Sequence, residues 1–330
     1  MNELLNTEWD DFLKDYPEAN LLQISQWGDL KALFGWKPSR ISMGMNGAQI
    51  LFRQLPLGFT IAYIPKGPVG KDWSVLWPKV DALCREKRAI FLKVEPDAWE
   101  EELPEFQRKF PDFVPSRPIQ PQRTITISLD GSEDAILQRM KQKTRYNIRL
   151  AEKKDVRVRA CSDVSIFHRL MLETGERDRF GVHSLAYYQR AYDLFHPIGK
   201  CELLIAEFED QPLAGLMVFA SGSQSYYIYG ASSNRERNRM PAYLIQWEAM
   251  RWARMKGCRT YDLWGVPDED EETLENQFEQ RSDGLWGVYR FKRGYGGDLK
   301  RSVGAWDKVY MPLLYQLYTF YVKRRGGEHA

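Results

Sequence analysis

The sequence has few of the residues from which metal centres and disulfide frameworks are built. Its four cysteines lie far apart without a C-x-x-C pair, and its four histidines show no ligand spacing. No Walker loop, Gly-x-Ser-x-Gly motif or Cys/His pairing occurs. We therefore expect neither a zinc site nor a disulfide framework. If the chain is an enzyme, direct transfer from an activated donor is favoured over a covalent enzyme intermediate.

An excess of charge of one sign and a long apolar run are also missing. The 47 Lys and Arg residues nearly balance the 45 Asp and Glu residues, and the net charge of +2 excludes a globally polycationic nucleic-acid coat but permits local basic patches. No stretch of about 18 apolar residues occurs, and the acidic N-terminal sequence lacks the pattern of a signal peptide. These absences predict a cytoplasmic protein.

Apolar and aromatic residues are plentiful. The 330 residues are 43% hydrophobic, which is enough for a large core and more than one ordinary domain needs, so we expect two domains. The 11 Trp, 17 Tyr and 16 Phe suit either deep clefts for an extended ligand or an aromatic core.

The predicted elements occur in the same order in both halves of the chain. An antiparallel meander over residues 38–64, with its turn at Asn46-Gly47, precedes a helix over about 73–87 and the strand AIFLKVEP. The second half repeats this order with CELLIAEF, a turn at 209–211, PLAGLMVFA, SYYIYGAS, a helix over about 241–256 and the strand CRTYDLWG. The repeat predicts a mixed α/β (α+β) fold with two tandem acetyltransferase-like (GNAT) domains.

The boundary between the domains is predicted near residue 130. The strand-like TITISLD ends there, and Ser132 caps a helical pattern that continues through KQKTRYNIRLAEKKDV. The first domain then spans 1–130 and is completed by an amphipathic C-terminal helix over 308–330, and the second spans 131–307. The C-terminal helix should bury one face on the first domain or touch a membrane.

The segment GLWGVYRFKRGYGGDLKRSVGAWD is the most informative for chemistry. It sets Lys292 among aromatic residues and follows it with Gly294, Gly296 and Gly297, which let a ligand approach the backbone closely. An ammonium held there could stabilise the oxyanion that forms when an amine attacks an ester carbonyl. A surface lysine beside a turn fits the same pattern.

Two further segments could bind a ligand. The run KQKTRYNIRLAEKKDVRVR carries Lys143, Arg145 and Arg149, which could neutralise phosphates, although such runs also form solvated helix faces. In QISQWGDLKALFGW the four-residue spacing predicts that Gln23, Trp27 and Lys31 share one helical face and line a groove, unless Trp27 is a core residue.

Taken together and in order, several motifs resemble those of the FemABX peptidyltransferases, in particular the compact FemX type. They run along nearly the whole chain: QISQWGDLKALFGW, IPKGPV, KVEP, KQKTRYNIRLAEKKDV, YYIYGAS followed by PAYLIQWEAMRWA, YDLWG, and GVYRFKRGYGG followed by GAWD. The resemblance implies two GNAT domains, and the interval between residues 156 and 201 is too short for the coiled-coil arm of the longer members.

The resemblance also implies a reaction. Members transfer an aminoacyl group from aminoacyl-tRNA to the stem-peptide amine of a peptidoglycan precursor, either UDP-MurNAc-pentapeptide or lipid II, and form an interpeptide bridge. No cofactor is implied, because aminoacyl-tRNA is already an activated ester. We expect a monomer with possible peripheral contact with the inner face of the membrane.

Roles carried over from the family fall on matching positions of this sequence. Lys292 matches the lysine that stabilises the tetrahedral intermediate, and Phe291 precedes it as in the family. Lys31 matches a lysine that contacts the precursor's phosphates. Glu95 in KVEP lies where the family has an acidic residue near the acceptor amine, and could orient or deprotonate that amine.

The remaining matches concern the precursor site. Tyr187 and Tyr243 match positions that line it, although both could be core residues. His183 stands where the family has a phosphate-binding arginine, and Arg177 or Arg179 could compensate for that departure.

Two other functions remain open at this stage. A coenzyme A-dependent N-acyltransferase would use the same fold, but the Gly-rich loop that holds the coenzyme's pyrophosphate is missing from ASSNRERNRMPAYL. A non-catalytic module that binds tRNA or the precursor would need the basic run but not Lys292.

Overall fold

The computed structural model describes residues 3–324, without the side chains of residues 105, 106 and 109. The chain forms two compact units. Unit one holds the residues up to Gln122 and those from Arg301 onward, and unit two holds Arg123–Lys300.

Unit one begins with four helices and five strands. The helices are α1 (Asn6–Leu13), α2 (Ser25–Ala32), α3 (Trp77–Glu86) and α4 (Leu103–Lys109). The strands are β1 (Trp36–Met43), β2 (Asn46–Gln54), β3 (Thr60–Pro65), β4 (Ala89–Glu95) and β5 (Val114–Ser116).

Unit two contains seven strands and seven helices. The strands are β6 (Arg123–Ser128), β7 (Arg157–Ala160), β8 (Cys201–Phe208), β9 (Gln211–Ser221), β10 (Gln224–Ser232), β11 (Thr260–Val266) and β12 (Asp298–Arg301). The helices are α5 (Glu133–Arg139), α6 (Gln142–Lys153), α7 (Val164–Asp178), α8 (Leu185–Phe195), α9 (Pro241–Met255), α10 (Glu271–Gln277) and α11 (Trp286–Lys292). The chain then returns to unit one with β13 (Ala305–Val309) and α12 (Pro312–Arg324).

The same strand arrangement occurs in both units. The first sheet has the order β1-β2-β3-β4-β13-β5, and the second has the order β12-β6-β11-β10-β9-β8-β7. In each, three successive antiparallel strands precede a helix, and the next strand lies parallel to the third, as β4 does to β3 and β11 to β10. The predicted α/β fold of two acetyltransferase-like units is confirmed.

The structure divides the chain at different residues from the predicted 130 and 307. Strand β6 pairs with β11 and so belongs to the sheet of unit two, which moves the first division to 122/123. Strand β13 pairs with β4 in unit one, which moves the second to 300/301. Residues 325–330 of the predicted C-terminal helix lie outside the described residues.

The predicted turn at Asn46-Gly47 is wrong by two residues. Met43 pairs with Asn46, so the turn is Gly44-Met45, and Gly44 has a φ of 55°. The Asn46 side chain is buried and accepts a hydrogen bond from the backbone N–H of Asp72 at 3.0 Å. Gly47 is needed inside β2 for another reason: a Cβ there would lie 2.8 Å from the rings of Trp9 and Phe12.

The predicted helical segment after Ser132 is two helices. The Ser132 hydroxyl accepts from the N–H of Ala135 at 3.2 Å, which confirms the cap. The helix ends at Arg139, and the extended Lys141 donates its N–H to the carbonyl of Gly294 at 2.9 Å before α6 begins. This hydrogen bond joins the start of α6 to the segment that follows Lys292.

Helix α12 covers one face of the unit-one sheet. The rings of Tyr315 and Tyr318 lie 5.2 Å from that of Phe91, beside Ile61 and Ile90. Within residues 3–324 we find no helix with both the length and the apolar character needed to cross a bilayer.

Candidate functional site

Lys292 lies at the end of α11, buried inside unit two. Its side chain is 6% exposed, and its ammonium donates to the carbonyl of Gly265 on β11 at 2.7 Å. The ammonium also lies 5.6 Å from the centre of the Tyr227 ring on β10. Gly265 is the one acceptor found for it within residues 3–324, which leaves two of its N–H groups for an incoming oxygen.

Burial controls the charge of this lysine. Desolvation lowers the pKa of Lys292 from 10.5 to about 7, and the Asp262 carboxylate opposes that shift. Asp262 is itself held by the backbone N–H of Trp264 at 2.6 Å and by the hydroxyl of Thr124. Near neutral pH both forms of the amine are therefore populated, and an ammonium here acts on a nearby negative charge without screening by water.

An irregularity in β11 presents the carbonyl that holds Lys292. The pairing of β11 with β6 shifts between Asp262 and Gly265, and Trp264 adopts a left-handed backbone with a φ of 60°. A bulky residue in this region costs on the order of 1–3 kcal/mol, and such strain persists where the surroundings impose it, often at functional sites. The bulge redirects the strand at the residue whose carbonyl contacts the ammonium.

Aromatic side chains also pack around Phe291, the residue that precedes the lysine. The Phe291 ring lies 5.0 Å from that of Tyr243 and 5.2 Å from that of Tyr295, both at steep angles. The structure thus brings two predicted residues, Phe291 and Tyr243, into contact, and Lys292 follows Phe291 at the end of α11.

Sequence reasoning missed four residues around the lysine: Tyr227, Asp262, Trp264 and Gly265. The last three belong to the motif YDLWG, which carried the family resemblance but was assigned no role. Their function depends on contact with a helix far along the chain, which local patterns do not reveal.

Close packing fixes the Tyr227 ring. A Cβ at Gly230 would collide with the ring and hydroxyl of Tyr227, so only glycine allows this contact. Gly230 therefore sets where the ring lies relative to the ammonium.

A second aromatic group in unit two contains His183 and Tyr187. Their rings stack at 4.0 Å, and the Tyr187 hydroxyl lies 3.0 Å from that of Tyr229. His183 is exposed. Tyr187 is buried in the core, which is the alternative to a position lining the precursor site.

The two arginines proposed to compensate for His183 differ in their surroundings. The Arg177 guanidinium binds the Asp178 carboxylate at 2.8 Å and the carbonyl of Ser232 at 2.8 Å, which ties α7 to the end of β10. Arg179 is exposed at the left-handed C-cap of α7. Of the two, Arg179 is the more accessible to an anionic ligand.

The basic run lies mainly on α6. Lys143, Tyr146 and Arg149 are exposed at three-residue intervals and form a stripe on one face. Arg145 is half-buried and donates to the carbonyls of Gln138 and Met140 at the end of α5, so its guanidinium has a structural role.

In unit one, Gln23, Trp27 and Lys31 were predicted to share one helical face, but only Trp27 and Lys31 lie on the helix. Helix α2 begins at Ser25, and the Lys31 ammonium lies 4.7 Å from the ring of the buried Trp27 one turn earlier. Gln23 precedes the helix in a separate turn. Its amide donates to the carbonyl of Pro65 at 2.6 Å and accepts from the N–H of Gln49 at 2.9 Å, which joins β2 to β3.

Glu95 is a buried carboxylate with several donors. Its oxygens accept from the Tyr63 hydroxyl at 2.6 Å, the N–H of Gln120 at 3.1 Å and the N–H of Ile119. Burial raises the pKa of Glu95, and these donors together with Lys66 oppose the rise. The carboxylate also lines a small cleft of unit one together with Lys66, Pro96, Pro118, Gln120, Ser302 and Gly304.

Within residues 3–324 we find no cluster of three or more His, Cys, Asp or Glu side chains that could hold a metal ion. The four cysteines are buried and unpaired by disulfides.

Comparison with known proteins gives a consistent match. The FemAB family model matches residues 4–112, 111–209 and 196–323. The lipid II:glycine glycyltransferase of Staphylococcus epidermidis is 27% identical, over 95% of this chain and 94% of its own length. That of Staphylococcus haemolyticus is 28% identical over the same shares. The crystal structure of FemX is 25% identical with a TM-score of 0.83, and the match covers 96% of this chain and 99% of FemX.

The lengths of these matches differ in an informative way. The alignment with the S. epidermidis protein runs over 399 positions, more than the 330 residues of this chain, so that relative carries residues that this chain lacks. Between residues 156 and 201, where a coiled-coil arm would occur, this chain has strand β7 followed by α7 and α8, of 15 and 11 residues.

Proposed function

The chain belongs to the FemAB family, and from that premise we propose that it transfers an amino acid from aminoacyl-tRNA to the stem-peptide amine of a peptidoglycan precursor. The protein is an aminoacyltransferase enzyme, as are the relatives named lipid II:glycine glycyltransferase. The product would be an interpeptide bridge. The proposed reaction takes place in the cytoplasm, and aminoacyl-tRNA is its only co-substrate.

The observation that carries this proposal is the buried Lys292 ammonium, which has one acceptor among residues 3–324. When the acceptor amine attacks the ester carbonyl of the donor, a C–N bond forms and the carbonyl oxygen gains negative charge. The ammonium donates its remaining N–H groups to that oxygen. Collapse of the intermediate re-forms the carbonyl and breaks the ester C–O bond, and the proton released by the amine goes to the departing ribose oxygen.

The surroundings of Lys292 suit this role. A charge that develops in a water-poor site interacts strongly with a donor already in place, because no solvent has to reorganise. A pKa of about 7 means that the oxyanion shifts Lys292 fully to its charged form during the reaction.

Glu95 supports a different part of the proposal. Three donors already bind its carboxylate, so we assign it to positioning the 118–120 segment and Tyr63 around the cleft of unit one, rather than to removing the proton of the amine. The exposed Lys143 and Arg149 on α6 would contact tRNA phosphates.

The test is transfer of label from aminoacyl-tRNA. Purified protein is incubated with a panel of radiolabelled aminoacyl-tRNAs and with either UDP-MurNAc-pentapeptide or lipid II, and separately with acetyl-coenzyme A. We expect label in the precursor for a defined donor, and a loss on the order of 10²–10³ in rate for Lys292→Met, the effect of removing one oxyanion donor.

The matched control is Lys256→Met, which removes an exposed lysine whose ammonium lies 5.5 Å from the Trp252 ring. It should leave the rate unchanged. Transfer from acetyl-coenzyme A without tRNA, or full activity of Lys292→Met, would contradict the proposal.

A further inference from the structure

Helix α12 has two apolar faces, and within the described part of the chain, residues 3–324, only one of them is covered. Leu314, Tyr315 and Tyr318 pack against the sheet of unit one, on the cluster formed by Ile61, Ile90 and Phe91. That contact explains why the helix is attached to the unit.

The other face of α12 is turned to solvent. Leu313 is 77% exposed, Leu317 65%, Phe320 56% and Tyr321 52%. Their spacing of four, three and one residues places them on one stripe that extends over two turns of the helix. Contiguous apolar stripes of this kind mark a site of interaction, because single scattered apolar residues are the usual pattern on a surface.

A second exposed apolar group lies beside the same core cluster. The β2–β3 connection carries Leu57, which is 84% exposed and adopts a left-handed backbone with a φ of 62°. Its neighbours Leu55 and Phe59 pack on the cluster of Ile61, Ile90 and Phe91. The loop tip and the helix stripe thus extend from one part of unit one.

The two chain segments that carry these apolar groups contain basic residues but no acidic ones. Neither residues 50–62 nor residues 311–324 contain Asp or Glu, whereas Arg53, Lys323 and Arg324 lie within them. The guanidinium of Arg324 lies 4.5 Å from the Phe320 ring, and that of Arg88 lies 4.5 Å from the Phe59 ring. Basic heads beside apolar side chains are the arrangement of groups that lie at the boundary of an anionic bilayer.

We propose that the exposed stripe of α12 and the Leu57 loop form a docking surface for an anionic lipid bilayer. The apolar side chains enter the headgroup region, and the basic residues contact lipid phosphates. A second copy of this chain fits less well, because it would bring two basic surfaces together. The inference concerns binding alone and is independent of the reaction proposed for Lys292.

The test uses the full chain with sedimented vesicles. We expect the protein to bind vesicles of phosphatidylcholine mixed with phosphatidylglycerol, to bind pure phosphatidylcholine more weakly, and to lose affinity as salt rises. The variant Leu317→Ser/Phe320→Ser should lose at least about tenfold in partitioning, since two exposed apolar groups are removed. Because both residues are more than half exposed, the fold should be kept, and a thermal melt checks this.

A matched control removes two exposed apolar side chains elsewhere. Met45 and Met255 are 76% and 79% exposed, and Met45→Ser/Met255→Ser should bind as the unchanged protein does. A second variant, Lys323→Glu/Arg324→Glu, should weaken binding to the anionic vesicles only. Absence of binding to anionic vesicles, equal binding by Leu317→Ser/Phe320→Ser, or stripe-dependent dimerisation in sedimentation would overturn the proposal.

Discussion

Each unit has a buried ionisable group close to a comparable strand, but the two groups differ in how many hydrogen-bond partners they have. Glu95 ends β4, and Lys292 contacts Gly265 on β11. Each of these strands lies parallel to the last strand of the antiparallel meander before it. Three donors bind Glu95, while one acceptor binds Lys292 within residues 3–324. A buried charge with all its partners stabilises a local structure, whereas one with spare hydrogen-bonding capacity is available to a substrate.

The largest expected effect separates activity from stability at Lys292. Lys292→Met keeps the volume of the side chain but removes an amine that is costly to bury, so transfer should fall by a factor on the order of 10²–10³. The free energy of unfolding should change little, because removal of an amine that is costly to bury offsets the loss of its hydrogen bond to the Gly265 carbonyl. Urea unfolding beside the transfer assay measures both quantities, and a large loss of stability would show that the lysine is structural.

The opposite pattern is expected at Glu95. Glu95→Ala leaves the Tyr63 hydroxyl and the N–H groups of Ile119 and Gln120 without their acceptor, which should lower the free energy of unfolding by about 3 kcal/mol. Glu95→Gln retains one acceptor oxygen and should cost roughly half as much. If Glu95 acted as a base, Glu95→Gln would abolish transfer while leaving stability intact, and our assignment would be wrong.

Sequence patterns predicted the architecture well because each helix and strand has a recognisable pattern in its own residues. Alternating apolar residues predict the strands, and Ser132 predicts its helix start. The same reasoning failed at Gly47 and Gln23. Gly47 resembles a turn residue and Gln23 a helix residue in the sequence. In the structure Gly47 makes room for the aromatic rings of α1, and Gln23 joins β2 to β3, so contacts with distant residues decide their roles.

The site was predictable only in part, for a related reason. Lys292 and Phe291 stand in a distinctive motif. The residues that contact the Lys292 ammonium come from β10 and β11, far away in the sequence. The left-handed backbone of Trp264 could not be predicted either, because a tryptophan disfavours that conformation.

A smaller effect is expected from the packing around the lysine. In Gly230→Ala the new methyl group displaces the Tyr227 ring, so transfer should fall by roughly tenfold through a shift in the surroundings of Lys292. The background variant Tyr227→Leu removes the ring and hydroxyl that the methyl group would strike. A double-mutant cycle should therefore show that Gly230→Ala has little further effect in that background. Additive losses would mean that Gly230 acts by another route.

The smallest effect lies in the pH dependence of stability. The pKa of Lys292 is about 7 in the folded chain, while a lysine in the unfolded chain titrates near its ordinary value of 10.5. Between these values the unfolded state binds more protons than the folded state, so stability rises with pH, by about 1 kcal/mol between pH 7 and pH 8. Lys292→Met should lack this rise, whereas Lys256→Met should retain it. Because the unchanged protein and Lys292→Met differ in no other titrating group, the difference between their urea unfolding curves isolates Lys292. Parallel curves would mean that its ammonium is hydrated and keeps an ordinary pKa.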